Sequence, residues 1–238
     1  MIVHKEGQTL LFVTQPDHAH FAGELLTLWR ADHLPENPRR PALLFAAREH
    51  DNGWREADAA PRWDGTRGCP HDFISMPSAD RIEIWQRGTA RFAASEPYAT
   101  LLITRHAQTL NRERREQPEW QEFFVYLDEL ERGLRAATAA TAASLEEVSA
   151  DYRLLDLADL SSLAVCNRWA TPFERHGVRG RFSAAAGTLH LDPFPLAGAT
   201  AFNLPYRRIP DRPYRGDADL GGELAAARWE EMRVRVAP

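Results

Sequence analysis

An adjacent imidazole and carboxylate, His50-Asp51, end the stretch Pro41-Ala-Leu-Leu-Phe-Ala-Ala-Arg-Glu-His-Asp-Asn-Gly-Trp54. The apolar run before the pair places it at the end of a buried helix, and Gly53 lets the chain turn away. Neighbours on a helix lie about 100° apart, so both side chains can reach one ion at the helix end. A buried imidazole beside a buried carboxylate must be satisfied, and a divalent metal satisfies both. Residues three, four or seven apart share a helix face. His18 stands three before Phe21, four before Ala22 and seven before Leu25, so it points into the core. His20, about 200° around the helix, points outward. The other reading of His18 is a core histidine bonded to backbone.

Asp159 sits at the centre of an apolar stripe formed by Val148, Tyr152, Leu155, Leu163 and Cys166. A buried carboxylate without a cation, a donor network or a proton costs several kcal/mol. A metal answers that need; an arginine or an N-cap partner is the alternative. Asp156 lies about 60° away, at the stripe's edge, and is its competitor. His106 shares a face with Leu102, Ile103 and Leu110 and also points inward. Glu49 and Arg55 flank the pair: Glu49 could act as acid or base and Arg55 could bind an anion, or both are solvated. A second pair, His71-Asp72, lies in a loop without a preceding apolar helix, so His71 reaches the site only if that loop folds over it.

The segments His18-Ala-His-Phe-Ala-Gly-Glu-Leu25, His50-Asp51 and Leu157-Ala-Asp-Leu-Ser161 resemble, in order and local sequence, the signature of the HD superfamily of metal-dependent phosphohydrolases. The whole chain also resembles an uncharacterised bacterial family, domain of unknown function 3891. The HD resemblance implies a helical core in which His18, His50, Asp51 and Asp159 hold a metal. It makes His106 a phosphate contact or a ligand to a second ion, with Asp51, Glu49 and His106 as the catalytic set. A mixed nitrogen and oxygen donor set suits Mn, Fe, Co, Ni or Zn, one ion or two, better than Mg or Ca. The expected reaction is hydrolysis of a small phosphate ester or nucleotide by metal-activated water. Two rivals remain open: an HD-type diiron oxygenase, which needs further histidines such as His71 and His106, and a non-catalytic metal- or ligand-binding protein.

These side chains need elements to hold them. Ile2–Lys5 and Leu10–Thr14 read as strands, and Thr14-Gln-Pro-Asp17 as a helix start. Helices are predicted over Arg40–Asp51, Ser78–Ala94, Pro97–Arg114 with Ser95 as cap, and Pro118–Ala143. The capping box Ser144-Leu-Glu-Glu147 opens one more, through Trp169. Residues 55–79, rich in proline and glycine, read as a long loop of the kind that covers sites. After Thr171, alternating apolar residues (Leu189 to Phe194, Ala201 to Leu204) suggest short strands, followed by a helix at Leu220–Met232 and a strand at Val234–Val236. The expectation is a mainly α, single-domain protein over 1–238. In it an HD-like helical bundle (15–170) is flanked by a small sheet (1–14 and 171–238) whose terminal strands pair with each other.

Composition narrows the function classes. With 44% hydrophobic and 26% charged residues in 238, the chain can bury a large core. A net charge of −5 and the lack of a basic, aromatic-laced stripe argue against nucleic acid as partner. No apolar run approaches the roughly 20 residues of a membrane span, and no signal peptide is visible. Cys69 and Cys166 read as reduced thiols of a cytoplasmic protein. The expected partner is therefore a small molecule, and the HD resemblance implies that it can be a phosphorylated one; the sequence leaves the oligomeric state open.

Overall fold

Consecutive residues Leu10, Leu11, Phe12 and Val13 are all buried, although strand side chains alternate between faces. Both faces of that strand must therefore be covered, and this organises the architecture. The computed structural model describes residues 1–138 and 144–238. A hairpin of β1 (Ile2–Glu6) and β2 (Thr9–Val13) turns at Gly7, whose φ of +61° suits glycine. Helix α1 (Gln15–Thr27) starts where the Thr14 hydroxyl accepts from the Asp17 N–H, with Pro16 in the first turn. Then come α2 (Arg40–Glu49), the short α3 (Arg55–Ala59), and a two-stranded ribbon of β3 (Trp63–Asp64) and β4 (Cys69–Pro70). The expected 55–79 loop thus carries only short elements.

Four longer helices follow: α4 (Ser78–Ala90), α5 (Pro97–Asn111), α6 (Pro118–Thr138) and α7 (Leu145–Cys166). The last five positions of the helix expected over 118–143 lie outside the described residues. Helix α7 opens with the predicted capping box, Ser144 and Glu147 each bonding the other's backbone N–H. Ser95 does not cap α5, whose N-cap is Glu96 with no side-chain bond. The rest of the chain forms β5 (Phe173–Arg175), β6 (Val178–Ser183), β7 (Thr188–Asp192), β8 (Thr200–Pro210), α8 (Asp217–Ala226) and β9 (Trp229–Ala237).

The expectation of a mainly α bundle with a small flanking sheet is overturned. The described residues are 51% helical and 21% strand, and seven strands join in one curled mixed sheet of order β1-β2-β8-β9-β7-β6-β5. An all-α description does not fit it. The terminal strands do not pair with each other, because β8 lies between β2 and β9. Strand β8 is the reason for the sheet's size. It runs eleven residues, with Thr9↔Pro210 to Phe12↔Arg207 on one edge and Thr200↔Val236 to Arg207↔Trp229 on the other. The β7–β9 pair is parallel, a long-range pairing that alternating local sequence does not encode.

One core unites helices and sheet. Leu25 and Leu26 of α1, Leu43 of α2, Leu101 and Leu102 of α5 and Leu155 of α7 pack with Leu191, Leu204 and Val234. On the sheet's other face, Leu10, Phe12 and Ile209 pack under Leu220 and Leu224 of α8. Trp85, Ala107, Trp120 and Phe123 bind α4, α5 and α6 together in a third cluster. Full burial of a leucine side chain is worth roughly 1.5–3 kcal/mol. Truncating Leu204, buried where the bundle meets the sheet, would cost about 2–5 kcal/mol.

Candidate metal centre

Four helical segments bring the buried polar residues to one point. Helix α1 contributes His18 from its first turns. His50 is the C-cap of α2, and Asp51 follows it. Helix α7 supplies Asp159 and α5 supplies His106. All five are buried.

Close approach, rather than a left-handed turn, explains Gly53. A Cβ there would fall 2.1 Å from the Ile84 carbonyl oxygen and 2.9 Å from the Gly88 nitrogen, both backbone atoms of α4. The Arg87 guanidinium also donates to the Gly53 carbonyl, and the Asn52 amide donates to the carbonyls of Glu49 and Gly88. The segment after His50-Asp51 is thereby pinned against α4.

His18 Nε2 lies 3.2 Å from His50 Nε2 and 3.0 Å from Asp159 Oδ1. His50 Nε2 lies 3.3 Å from the same Asp159 oxygen. Asp51 Oδ2 stands 3.6 Å from His18 Nε2 and 3.7 Å from His50 Nε2. His106 Nε2 is 3.7 Å from Asp159 Oδ2. Donor atoms around one ion with bonds of about 2.1 Å are about 3–3.5 Å apart in tetrahedral or octahedral geometry. Two groups of metal-capable atoms, His18–His50–Asp51 and His50–His106–Asp159, share His50 and so form one centre.

The outer hydrogen bonds set the tautomers. The Ser162 hydroxyl donates to the His18 carbonyl at 2.8 Å, so its oxygen accepts from His18 Nδ1–H at 2.6 Å. His50 Nδ1–H donates to the Ala47 carbonyl at 2.8 Å. Both rings therefore turn unprotonated Nε2 atoms toward each other, a contact that needs a shared proton or a cation between them. Ring N–H groups committed to a second layer of acceptors are what metal-ligating histidines show. Among the described residues, His106 Nε2 has no hydrogen-bond partner. These observations fit a bound cation.

Charge states follow the same geometry. Burial opposes the charge on His50, yet the Asp51 and Asp159 carboxylates prevail and raise its pKa to about 9. Burial likewise opposes charge on Asp159, but the His18 and His50 imidazoles and the proton they share hold its carboxyl well below the usual range. Burial pushes Asp51 up, against the pull of His50 and His18. It pushes His106 down to about 4, so that ring is neutral.

Other expected participants lie elsewhere. The Glu49 carboxylate accepts from Arg55, and neither residue lines the cavity beside the centre. His71 turns Nδ1 to the Ser75 carbonyl and belongs to neither donor group. Asp156, the competitor of Asp159, is bound by His176 and Arg175. His20 faces outward near Glu24, as its helix position predicts. Sequence reasoning missed Ser162; its place three residues after Asp159, on the same helix face, was the available signal.

A cavity of about 230 Å³ opens onto the centre, with Asp51 and Asp159 in its wall. Phe73 and Ile74, from the 55–79 segment, form part of its wall. Among the described residues, no helix is long and apolar enough to cross a membrane.

Neither a curated protein nor a solved structure matches the chain. The family described as protein of unknown function DUF3891 matches residues 1–211. With most of its length covered, the chain belongs to the DUF3891 family.

Proposed function

We propose that this protein is a metal-dependent hydrolase of small phosphate esters, with His18, His50, Asp51 and Asp159 holding a divalent transition metal. The observation that carries the reading is the pair of inward-facing Nε2 atoms 3.2 Å apart, both against one Asp159 oxygen. Two imidazoles and two carboxylates suit Mn, Fe, Co, Ni or Zn. When bound, such an ion supplies a Lewis acid and lowers the pKa of water beside it. Asp51 faces both the imidazoles and the cavity, which positions its carboxylate to take a proton from water held there. His106, neutral and fully buried beside Asp159 but outside the cavity wall, is in this reading a ligand to a second ion or a phosphate contact. Ser162 and the Ala47 carbonyl keep the two ligand rings oriented.

The order of ligands along the chain, a histidine, a His-Asp pair and a distant aspartate, is similar to that of the HD superfamily, in which phosphoester hydrolysis is the commonest reaction. That similarity rests on the ligand positions and not on the architecture, which is dominated by the seven-stranded sheet as much as by helices. The two free cysteines suit a reducing, cytoplasmic setting.

Metal content of untagged protein, measured by mass spectrometry beside Asp51→Ala and Asp159→Ala, tests the proposal. One transition-metal ion per chain, lost in both variants, together with release of phosphate from a panel of monoesters, is the expected result. A parent that takes up no metal after reconstitution would sink it.

A further inference from the structure

The cavity beside the centre holds a second set of unsatisfied groups. Arg81, from the first turn of α4, is 8% exposed yet forms no ion pair among the described residues. One of its terminal nitrogens donates to the carbonyls of Phe73 and Ile74, while its buried Nε–H has no acceptor among the described residues. The Trp54 indole N–H, on a residue 2% exposed, is likewise without an acceptor among the described residues. Both side chains line the cavity, as does Arg114, which stacks over Trp120 and also makes no ion pair among the described residues. Asp72 is close enough to act on Arg81, but its carboxylate is engaged by the N–H groups of Ile74 and Ser75. Buried donors without acceptors are costly, and a buried cation without an anion more so.

We propose that Arg81 and the Trp54 indole form the anion-binding arm of this cavity, and that its occupant is a compact phosphomonoester dianion with a short apolar remainder. This rests on the reading of Asp51 and Asp159 as ligands of a divalent ion. Charge argues for a dianion: the ion offsets the two aspartates, leaving Arg81 and Arg114 with two positive charges. A phosphomonoester, with its second pKa near 6, carries close to two negative charges at neutral pH. Size argues for a compact one, since about 230 Å³ lies below the roughly 300–1,000 Å³ of sites for larger ligands. The other walls are mostly apolar (Phe73, Trp85, Leu110 and Leu163), with the buried amides of Gln15 and Asn111 among them, and Ile74 and Leu110 are exposed hydrophobics at this cavity. The remainder of the molecule is therefore short and mainly apolar. Guanidinium and indole donate to the phosphoryl oxygens, and Arg81 is held in place by the loop carbonyls it already binds.

Calorimetric titration of the metal-loaded full chain with ethyl phosphate, dimethyl phosphate and adenosine monophosphate tests this, with metal content measured in parallel. Ethyl phosphate should bind at least about tenfold more tightly than dimethyl phosphate, which is of similar size but carries one charge. Arg81→Gln should weaken ethyl phosphate by about 10- to 100-fold at unchanged metal content, the range for a charged hydrogen bond. Trp54→Phe, which keeps an aromatic ring, should weaken it several-fold and decides the matter if Arg81→Gln does not fold. The inference is overturned if the folded, metal-loaded variants bind like the parent, if Arg81→Gln loses its metal, or if the nucleotide or the diester binds best. A parent without metal would end the hydrolase reading alone. Inorganic phosphate binding to that metal-free parent, weakened by Arg81→Gln, would still uphold the anion arm, and its absence would remove it.

Discussion

His18 Nε2 and His50 Nε2 face each other at 3.2 Å while the Nδ1–H of each ring is committed elsewhere, to Ser162 and to the Ala47 carbonyl. Without a cation, one proton must lie between them. That proton and a metal compete for the same place, so loading and protonation are linked.

The linkage has a sign. In metal-free protein the pKa of His50 is raised from 6.5 to about 9. The resulting stability is fully present below pH 6.5 and is lost as pH rises through about 9. Metal binding, which needs the unprotonated ring, strengthens over the same interval. The melting-temperature gap between loaded and chelator-treated protein should therefore widen from pH 6.5 to 9. A gap constant across that window would contradict the shared proton.

Ser162→Ala should lower metal affinity by about 10- to 100-fold, as loss of an orienting partner does. Competition with a chromogenic chelator reads this directly. An unchanged affinity would show that His18 is oriented by packing alone.

Gly53→Ala forces a Cβ into the Ile84 carbonyl and the Gly88 backbone. Neither is a flexible side-chain end, so the segment after Asp51 or α4 must shift. A loss of at least about 2 kcal/mol in urea unfolding is expected, together with weaker metal retention. Parent-like stability would mean that α4 can move away without disturbing His50 and Asp51.

Glu49→Gln should leave metal content unchanged and turnover within about twofold. The carboxylate is paired with Arg55, whose side chain is 44% exposed, and such surface pairs contribute about 0–1 kcal/mol. A tenfold or greater loss of turnover would return Glu49 to the proton-handling role its sequence position suggested.

Local periodicity made much of the centre legible. The 3.6-residue repeat put His18 inside and His20 outside, set Asp159 in the middle of an apolar stripe, and turned His106 inward. These inferences need only one helix at a time. The capping box at Ser144 and the cap at Thr14 were readable for the same reason, since each is closed within four residues.

What depends on two distant segments was not readable. Adjacency to the His-Asp pair suggested Glu49 and Arg55, but side chains in contact with the centre come from residues far apart in sequence, such as Ser162 against His18. The proposed anion arm joins Trp54 and Arg81, which share no spacing or motif. Alternation after Thr171 marked strands without their partners: the pairing of β8 with β2 and β9, and the parallel β7–β9 contact, are fixed by burial on both sheet faces. The amino-acid sequence by itself determined which side chains each helix turns inward, because that is set by rotation per residue. Only the tertiary structure decided which inward side chains meet, because that depends on how helices cross and strands order, through contacts summed over the whole core.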